Sequence, residues 1–256
     1  MDPSSNYKAQ CIVLAAGDGT RFPQGTHKPL IEFAGSTLVD LTVKFWKSAG
    51  AKVTDIIKQD VASAWISLES NDFILPYYMI TVEHTQRGPA MSALLAGGGL
   101  KEDDFVIIAD CDNYLRVDSS KLLDSILASH ADAGLVCSTL YDHESTASYC
   151  NVWREDDIFV EGIDEKVPDC DTRDVGVGVY WFRRWDLFRR HAMSEFLAKE
   201  LSKVEIKMSD VLKSILNHEY RVVSSVMVER DDWFNLGTPE ELELSRQRLE
   251  ATNKGV

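Results

Sequence analysis

The residues best suited to chemistry lie first between positions 14 and 30, which read L-A-A-G-D-G-T-R-F-P-Q-G-T-H-K-P-L. Gly17 and Gly19 are separated by one residue and followed by Thr20 and Arg21, with Lys28 further on. Glycine admits positive φ and lets another group approach the backbone, and successive N–H groups in such a turn make a concave anion site. Arg21 and Lys28 bring two cations toward it, so the stretch suits the triphosphate of a nucleotide. The second set is Asp110-Cys111-Asp112-Asn113, directly after the apolar run Phe105 to Ala109. In an open α/β sheet, ligands bind outside the carboxyl ends of the strands. Carboxylates there would face the phosphates, and Mg²⁺ favours one or two carboxylates together with phosphate oxygens and water. Loop acids after a strand also form Asx turns, so the residue types leave open which aspartate takes a metal.

Other phosphate-binding chemistries are excluded by the same letters. Phe22 stands where a dinucleotide fingerprint needs its third glycine, and there is no G-x-x-x-x-G-K-[ST]. A net charge of −14 argues against a nucleic-acid or anionic-membrane partner, so the loop must carry its own cations. Cys11, Cys111, Cys137, Cys150 and Cys170 are scattered, form no C-x-x-C and read as reduced thiols of a cytoplasmic protein. The histidines form no zinc-like cluster. The start, Met1 to Lys8, is short and polar rather than a signal peptide, and no apolar run reaches the length of a membrane span.

The elements that must hold these residues alternate through the first half. Cys11 to Leu14 reads as a buried strand. Leu38, Leu41, Phe45 and Ala49 share a helical face, capped by Ser36 or Thr37 and ended by Gly50. Strands are expected at 53–57, 78–82, 105–109 and 133–140, with helices at 61–68, 89–96 and around 122–127. This is the rhythm of a parallel, helix-covered sheet. Beyond it, 149–154 and 158–163 read as a hairpin, 175–182 and 221–228 as strands, and 185–197 and 208–217 as helices. Thr238-Pro239-Glu240-Glu241 is a capping box with proline at the first helical position, opening a helix over about 239–251. The expected layout is one domain over 1–256, with a nucleotide-binding half at about 9–140 and an acceptor-binding half at about 141–242.

Taken whole, Leu14-Ala15-Ala16-Gly17-x-Gly19-Thr20-Arg21 followed by Lys28-Pro29-Leu30 resembles the signature of the sugar-phosphate nucleotidyltransferases. The resemblance runs from about residue 11 to 242. It implies an α/β fold with a Rossmann-like, mixed, mostly parallel sheet carrying helices on both faces. It makes Asp112 the metal ligand and Asp110 an outer partner. In Glu83 to Ala90, Gln86 and Gly88 match the family's base-recognition segment. Glu165 and Lys166, ahead of Pro168, and the strand Val175-Gly176-Val177-Gly178-Val179-Tyr180 match its acceptor site. There Glu165 would accept hydrogen bonds from sugar hydroxyls, Lys166 would neutralise the acceptor phosphate, and a strand glycine would let a sugar ring lie on the backbone. Trp233 to Leu242 matches W-x-D-x-G-T-P-E-x-L except that Asn235 replaces the Asp, the family's second metal ligand. Its amide oxygen can coordinate but lacks the charge, and Asp231 and Asp232 stand close by as alternatives.

The reaction this resemblance implies is attack of a sugar 1-phosphate, or a similar phosphorylated acceptor, on the α-phosphorus of a nucleoside triphosphate, with pyrophosphate leaving. Arg21 and the glycine loop would hold the triphosphate, Lys28 would bridge donor and acceptor phosphates, and Mg²⁺ on Asp112 would orient them. The family usually works as homo-oligomers. Two other readings carry different tests. Asp110-x-Asp112 also resembles the D-x-D metal motif of glycosyltransferases that use nucleotide-sugars, and Asn235 would suit a nucleotide-sugar-binding protein without turnover. Base and acceptor are not legible in the sequence.

Overall fold

The computed structural model describes residues 8–68, 76–84, 87–156, 158–167, 170–199, 202, 204–218 and 222–254. β1 (Ala9–Ala15) runs into the glycine loop, a single 3₁₀ turn at Lys28–Leu30, and the short pair β2 (Glu32–Phe33) and β3 (Ser36–Thr37). α1 (Leu38–Ser48) follows, capped by the Thr37 hydroxyl, which accepts from the Asp40 N–H at 3.2 Å. Then come β4 (Ala51–Lys58), α2 (Gln59–Ile66), β5 (Tyr78–Val82), α3 (Pro89–Ala96), β6 (Val106–Asp110), β7 (Asn113–Leu115), α4 (Ser119–Ala128) and β8 (Ala133–Thr139). The second half holds β9 (Cys150–Glu155), β10 (Phe159–Glu165), β11 (Asp174–Phe182), α5 (Trp185–Lys199), α6 (Met208–Leu216), β12 (Val223–Met227), β13 (Trp233–Asn235) and α7 (Pro239–Lys254).

Among the described residues, nine strands form one sheet in the order β5-β4-β1-β6-β11-β8-β12-β10-β9. β5, β4, β1 and β6 are parallel neighbours, as their helical connections require. From β6 onward the pairing changes. β11 is antiparallel to both β6 and β8, β9 and β10 form the expected hairpin, and only β12 returns parallel to β8. The parallel rhythm therefore belongs to the first half, and the sheet is mixed as a whole. β7 and β13, which pair antiparallel beside the main sheet, were not foreseen. Each is too short to show a period, and each forms only because the other reaches it across more than a hundred residues.

The sheet is sandwiched by two apolar layers. Val13, Val43, Trp46, Val53, Trp65 and Leu123 pack beneath α1, α2 and α4. Ile12, Ile56, Ala93, Phe182, Phe188 and Leu212 pack beneath α3, α5 and α6. Alternate residues of β1 thus serve opposite faces, which is the pleat of a strand buried on both sides. A third, smaller cluster joins Phe22, Phe33 and Leu38 to Phe234, Leu236 and Leu242. It ties the glycine loop to β13 and α7, and Phe33, Tyr114 and Phe234 meet there with ring centroids 5.5–5.9 Å apart. Phe22, which breaks the dinucleotide fingerprint, is thus a packing anchor, 8% exposed.

Candidate active site

Two cavities meet at the carboxyl ends of β1 and β6. The first, about 410 Å³, is lined by Leu14, Ala15, Ala16, Gly17, Gly19, Thr20, Arg21 and Lys28, with Gly88 and Pro89 opposite. The second, about 500 Å³, is lined by Glu165, Lys166, Gly176 and Gly178, together with Tyr149, Tyr180, Lys207, Trp233, Asn235 and Glu241. Arg21, Pro89, Asp110, Asp112 and Glu205 belong to both. The fold therefore brings the expected donor and acceptor residues to one cleft with the aspartates at its waist. Gln86 lies outside the described residues.

At the waist, the Lys28 ammonium donates to Asp112 Oδ2, and Asp112 Oδ1 accepts from Asn113 Nδ2 at 3.1 Å. Burial works to lower the Lys28 pKa, but the Asp112 charge and hydrogen bond outweigh it, so the net shift is upward and the ammonium stays charged. Asp110 is pushed up to about 8, first by burial and then by the neighbouring Asp112, against the pull of Lys28. Two carboxylates side by side thus have different environments: one ion-paired, the other desolvated.

Gly178 explains how Asp110 fits. Its φ is +77°, and a β-carbon there would sit 2.5 Å from Asn113 Nδ2 and 2.9 Å from Asp110 Oδ2. The strand glycine makes room for the aspartate and the asparagine, a steric demand that the sequence pattern alone did not reveal. Gly88 is as constrained: at φ +94°, a β-carbon would meet the Ile206 carbonyl oxygen at 2.6 Å. The Ile206 N–H donates to the Arg87 carbonyl at 3.0 Å, and the Ala90 N–H to the Ile206 carbonyl at 3.2 Å. Backbone on the donor side is thereby stitched to the segment carrying Glu205 and Lys207.

In the acceptor cavity, Glu165 Oε1 accepts from Ser209 Oγ at 2.6 Å, and Lys207 Nζ lies 3.5 Å from Oε2. Lys166 takes a left-handed φ of 57°, with its N–H donated to the Tyr149 carbonyl at 2.8 Å. A non-glycine residue held there stores strain of the kind that accumulates at functional sites. Tyr149 meets Trp233 edge to face at 5.5 Å, and Trp233 Nε1 donates to Asn113 Oδ1 at 2.8 Å.

Asn235 is enmeshed. Its Oδ1 accepts from the Gly237 N–H at 3.0 Å, and its Nδ2 donates to Glu241 Oε1 at 2.7 Å. The alternatives Asp231 and Asp232 have other partners. Asp231 accepts from the Tyr141 hydroxyl at 2.6 Å and Asp232 pairs with Arg116 at 3.2 Å, and neither lines either cavity. Both stand on a 3₁₀ turn at Arg230–Asp232. Sequence reasoning missed Tyr149, Glu205, Lys207, Ser209 and Glu241. They stand on a hairpin start, an irregular segment and two helix starts, with no spacing that links them. The five cysteines are all free thiols.

Residues 10–251 match the sequence family described as nucleotidyl transferase, and the chain belongs to that family. The resemblance carried by the glycine string is therefore borne out. Solved structures share its fold. A nucleoside-diphosphate-sugar pyrophosphorylase from Vibrio cholerae is 17% identical, with 92% of this chain and 99% of that one covered and a TM-score of 0.70. A UDP-glucose pyrophosphorylase complexed with UDP-glucose is 17% identical over 97% and 99%, at 0.73. The inositol-1-phosphate CTP transferase from T. maritima is 17% identical over 94% and 94%, at 0.71. The chain is an enzyme of nucleotidyl transfer.

Proposed function

We propose that the protein joins a nucleoside triphosphate to a sugar 1-phosphate, or to a closely similar phosphorylated alcohol, releasing pyrophosphate and a nucleotide-sugar. One observation carries this reading: two cavities, each with its own cations, share a wall at Asp110 and Asp112. Pyrophosphorylases and a CTP transferase among the solved structures support it. In this reading the 17–21 loop offers backbone N–H groups and Arg21 to the triphosphate. Lys28 stands at the junction where both phosphates would gather, and Lys166 neutralises the acceptor phosphate from the other side. An acceptor phosphate oxygen attacks the α-phosphorus in line, and the P–O bond to pyrophosphate breaks. No protein nucleophile is required, because positioning and charge neutralisation do the work.

The donor set suits Mg²⁺. Asp112 and the Asn235 amide are hard oxygen donors beside a phosphate site, and a hard cation prefers such partners. Bound there, Mg²⁺ would neutralise phosphate charge and align the reactants. The glycosyltransferase alternative leaves the Gly17–Lys28 loop without a task. We place the enzyme in the cytoplasm, supplying nucleotide-sugars for polysaccharide synthesis. Among the described residues, no helix is long and apolar enough to cross a membrane.

The test is a pyrophosphate-release screen of the four ribonucleoside triphosphates and thymidine triphosphate against sugar 1-phosphates, inositol 1-phosphate and phosphocholine. Release with one pair, dependent on Mg²⁺, is the expected result. Release of nucleoside diphosphate from a nucleotide-sugar, without pyrophosphate formation, would overturn it.

A further inference from the structure

We propose that Glu241 supplies the second carboxylate of the cation centre at Asp112, and that Asn235 acts as its positioning residue. The inference rests on the reading above, in which a divalent cation sits at Asp112. It answers where the charge has gone that the family's Asp would carry at position 235.

Gly237 supplies the geometry. The point where its β-carbon would lie is 3.1 Å from Asn235 Oδ1, 3.2 Å from Glu241 Oε2 and 3.5 Å from Asp112 Oδ2. Oxygens from the end of β13, the first turn of α7 and the loop after β6 thus lie within 3.5 Å of one point beside the Gly237 backbone, which a side chain at 237 would crowd. A hard cation in the cleft beside that point would draw on the carboxylates of Asp112 and Glu241, with Asp112 Oδ2 exchanging its Lys28 contact for the cation and phosphate oxygens and water completing the shell.

Asn235 decides whether Glu241 can be there. Its Nδ2 donates to Glu241 Oε1 at 2.7 Å. A carboxylate at position 235 has no proton to give and would repel Glu241 instead. The amide therefore removes one negative charge from the strand and holds another over the same spot from the helix. The charged groups facing Glu241 are Asp112, Arg21 and Lys28, the same groups that define the waist of the cleft. Glu241 belongs to the acceptor cavity and Asp112 to both, so a cation between them would sit where the two substrates meet.

The rival role for Glu241 is structural. It occupies the first turn of α7, where its N–H is capped by the Thr238 hydroxyl at 3.2 Å, and an acid there favours the helix dipole. That role predicts a loss of stability on neutralisation and no change in cation affinity. The two are separated by titrating Mn²⁺ into the full-length protein without nucleotide, following free Mn²⁺ by electron paramagnetic resonance, beside a thermal melt of each variant. Glu241→Gln should raise the Mn²⁺ dissociation constant about 10-fold or more while the protein still melts cooperatively. Asn235→Asp alone should fail to tighten binding in proportion to the added charge, because it releases Glu241. The exchange Asn235→Asp/Glu241→Gln, which moves the carboxylate back to the strand, should recover most of the wild-type affinity. Unchanged Mn²⁺ affinity in Glu241→Gln, or no Mn²⁺ binding by the wild-type protein, overturns the proposal. The outcome is separable from the reaction itself: wild-type pyrophosphate release with an unaffected Glu241→Gln titration removes only the ligand assignment. A weakened titration without turnover for any substrate pair removes only the assigned reaction.

Discussion

The two cavities are built in opposite ways. The donor cavity is mostly one continuous stretch, Leu14 to Lys28, closed by the strand end at Asp110 and the start of α3. The acceptor cavity draws on at least five separate segments, around Tyr149, Glu165, Gly178, Lys207 and Trp233–Glu241. Phosphate can be gripped by consecutive backbone N–H groups, and consecutive residues are what a sequence motif records. Hydroxyls and an acceptor phosphate need side chains converging from several directions, which only a folded sheet supplies. The second cavity is also built on antiparallel strands that hold Lys166 in a left-handed conformation and Gly178 in an unusual one, whereas the first rests on regular parallel pairing. A contiguous site should tolerate disturbance at its margins and fail at its charges; an assembled site should fail at its joints.

The largest effect is expected at the waist, where the comparison would break down entirely. Asp112→Ala removes the partner of Lys28 and one of the carboxylates shared by both cavities, and should lower kcat/KM by about 1,000-fold or more. A circular dichroism spectrum like that of the wild type would show that the fold survives. If Asp110→Ala loses as much while Asp112→Ala retains its rate, the roles of the two aspartates are reversed. Next, Lys28→Ala should lower kcat and kcat/KM together by about 100-fold, whereas Lys166→Ala should mainly raise the acceptor KM, by about 10-fold. Steady-state kinetics with each substrate varied in turn measures the split. A pure nucleotide KM effect for Lys166→Ala would erase the distinction between the cavities.

The joint between them is Gly88. Gly88→Ala drives a β-carbon into the Ile206 backbone at a positive φ, and should cost about 2–3 kcal/mol of stability. Because Ile206 lies between Glu205 and Lys207, the acceptor KM should rise as well, although position 88 lies on the donor side. Denaturant unfolding and kinetics on one preparation check both parts, and a stability loss with an unmoved acceptor KM would show that the stitch carries no function. The smallest effect concerns the support behind Trp233. Arg230 bridges Glu144 and the Trp233 carbonyl. Burial alone would push the Glu144 carboxyl up, but the Arg230 hydrogen bond and the Tyr141 N–H outweigh it and hold its pKa below the ordinary 4.5. Its contribution is present above that value and is lost as pH falls through the lower, folded value. Glu144→Gln should therefore cost about 1 kcal/mol at neutral pH, with a shallower loss of stability on acidification below pH 4.5. Parallel acid limbs for the two proteins would show the pair to be inert.

What the sequence by itself determined is the part written in consecutive residues or in a regular period. The helices of α1 and α3, the strands of the parallel half and the loop from Leu14 to Lys28 follow from apolar spacing, caps and glycines, and each lies within a residue or two of its expected place. The hairpin of β9 and β10 and the capped start of α7 were legible for the same reason. Tertiary structure alone decided the pairing of β7 with β13, the antiparallel insertion of β11 between β6 and β8, and the partners of Asn235. A motif places Asn235 in the chain but says nothing of side-chain direction, and it was the folding of α7 against β13 that set Glu241 beside it. The same holds for Gly178, whose missing side chain is explained only by an aspartate from another strand. Side-chain chemistry in this cleft depends on distances between segments far apart in sequence, and local propensity carries no record of those distances.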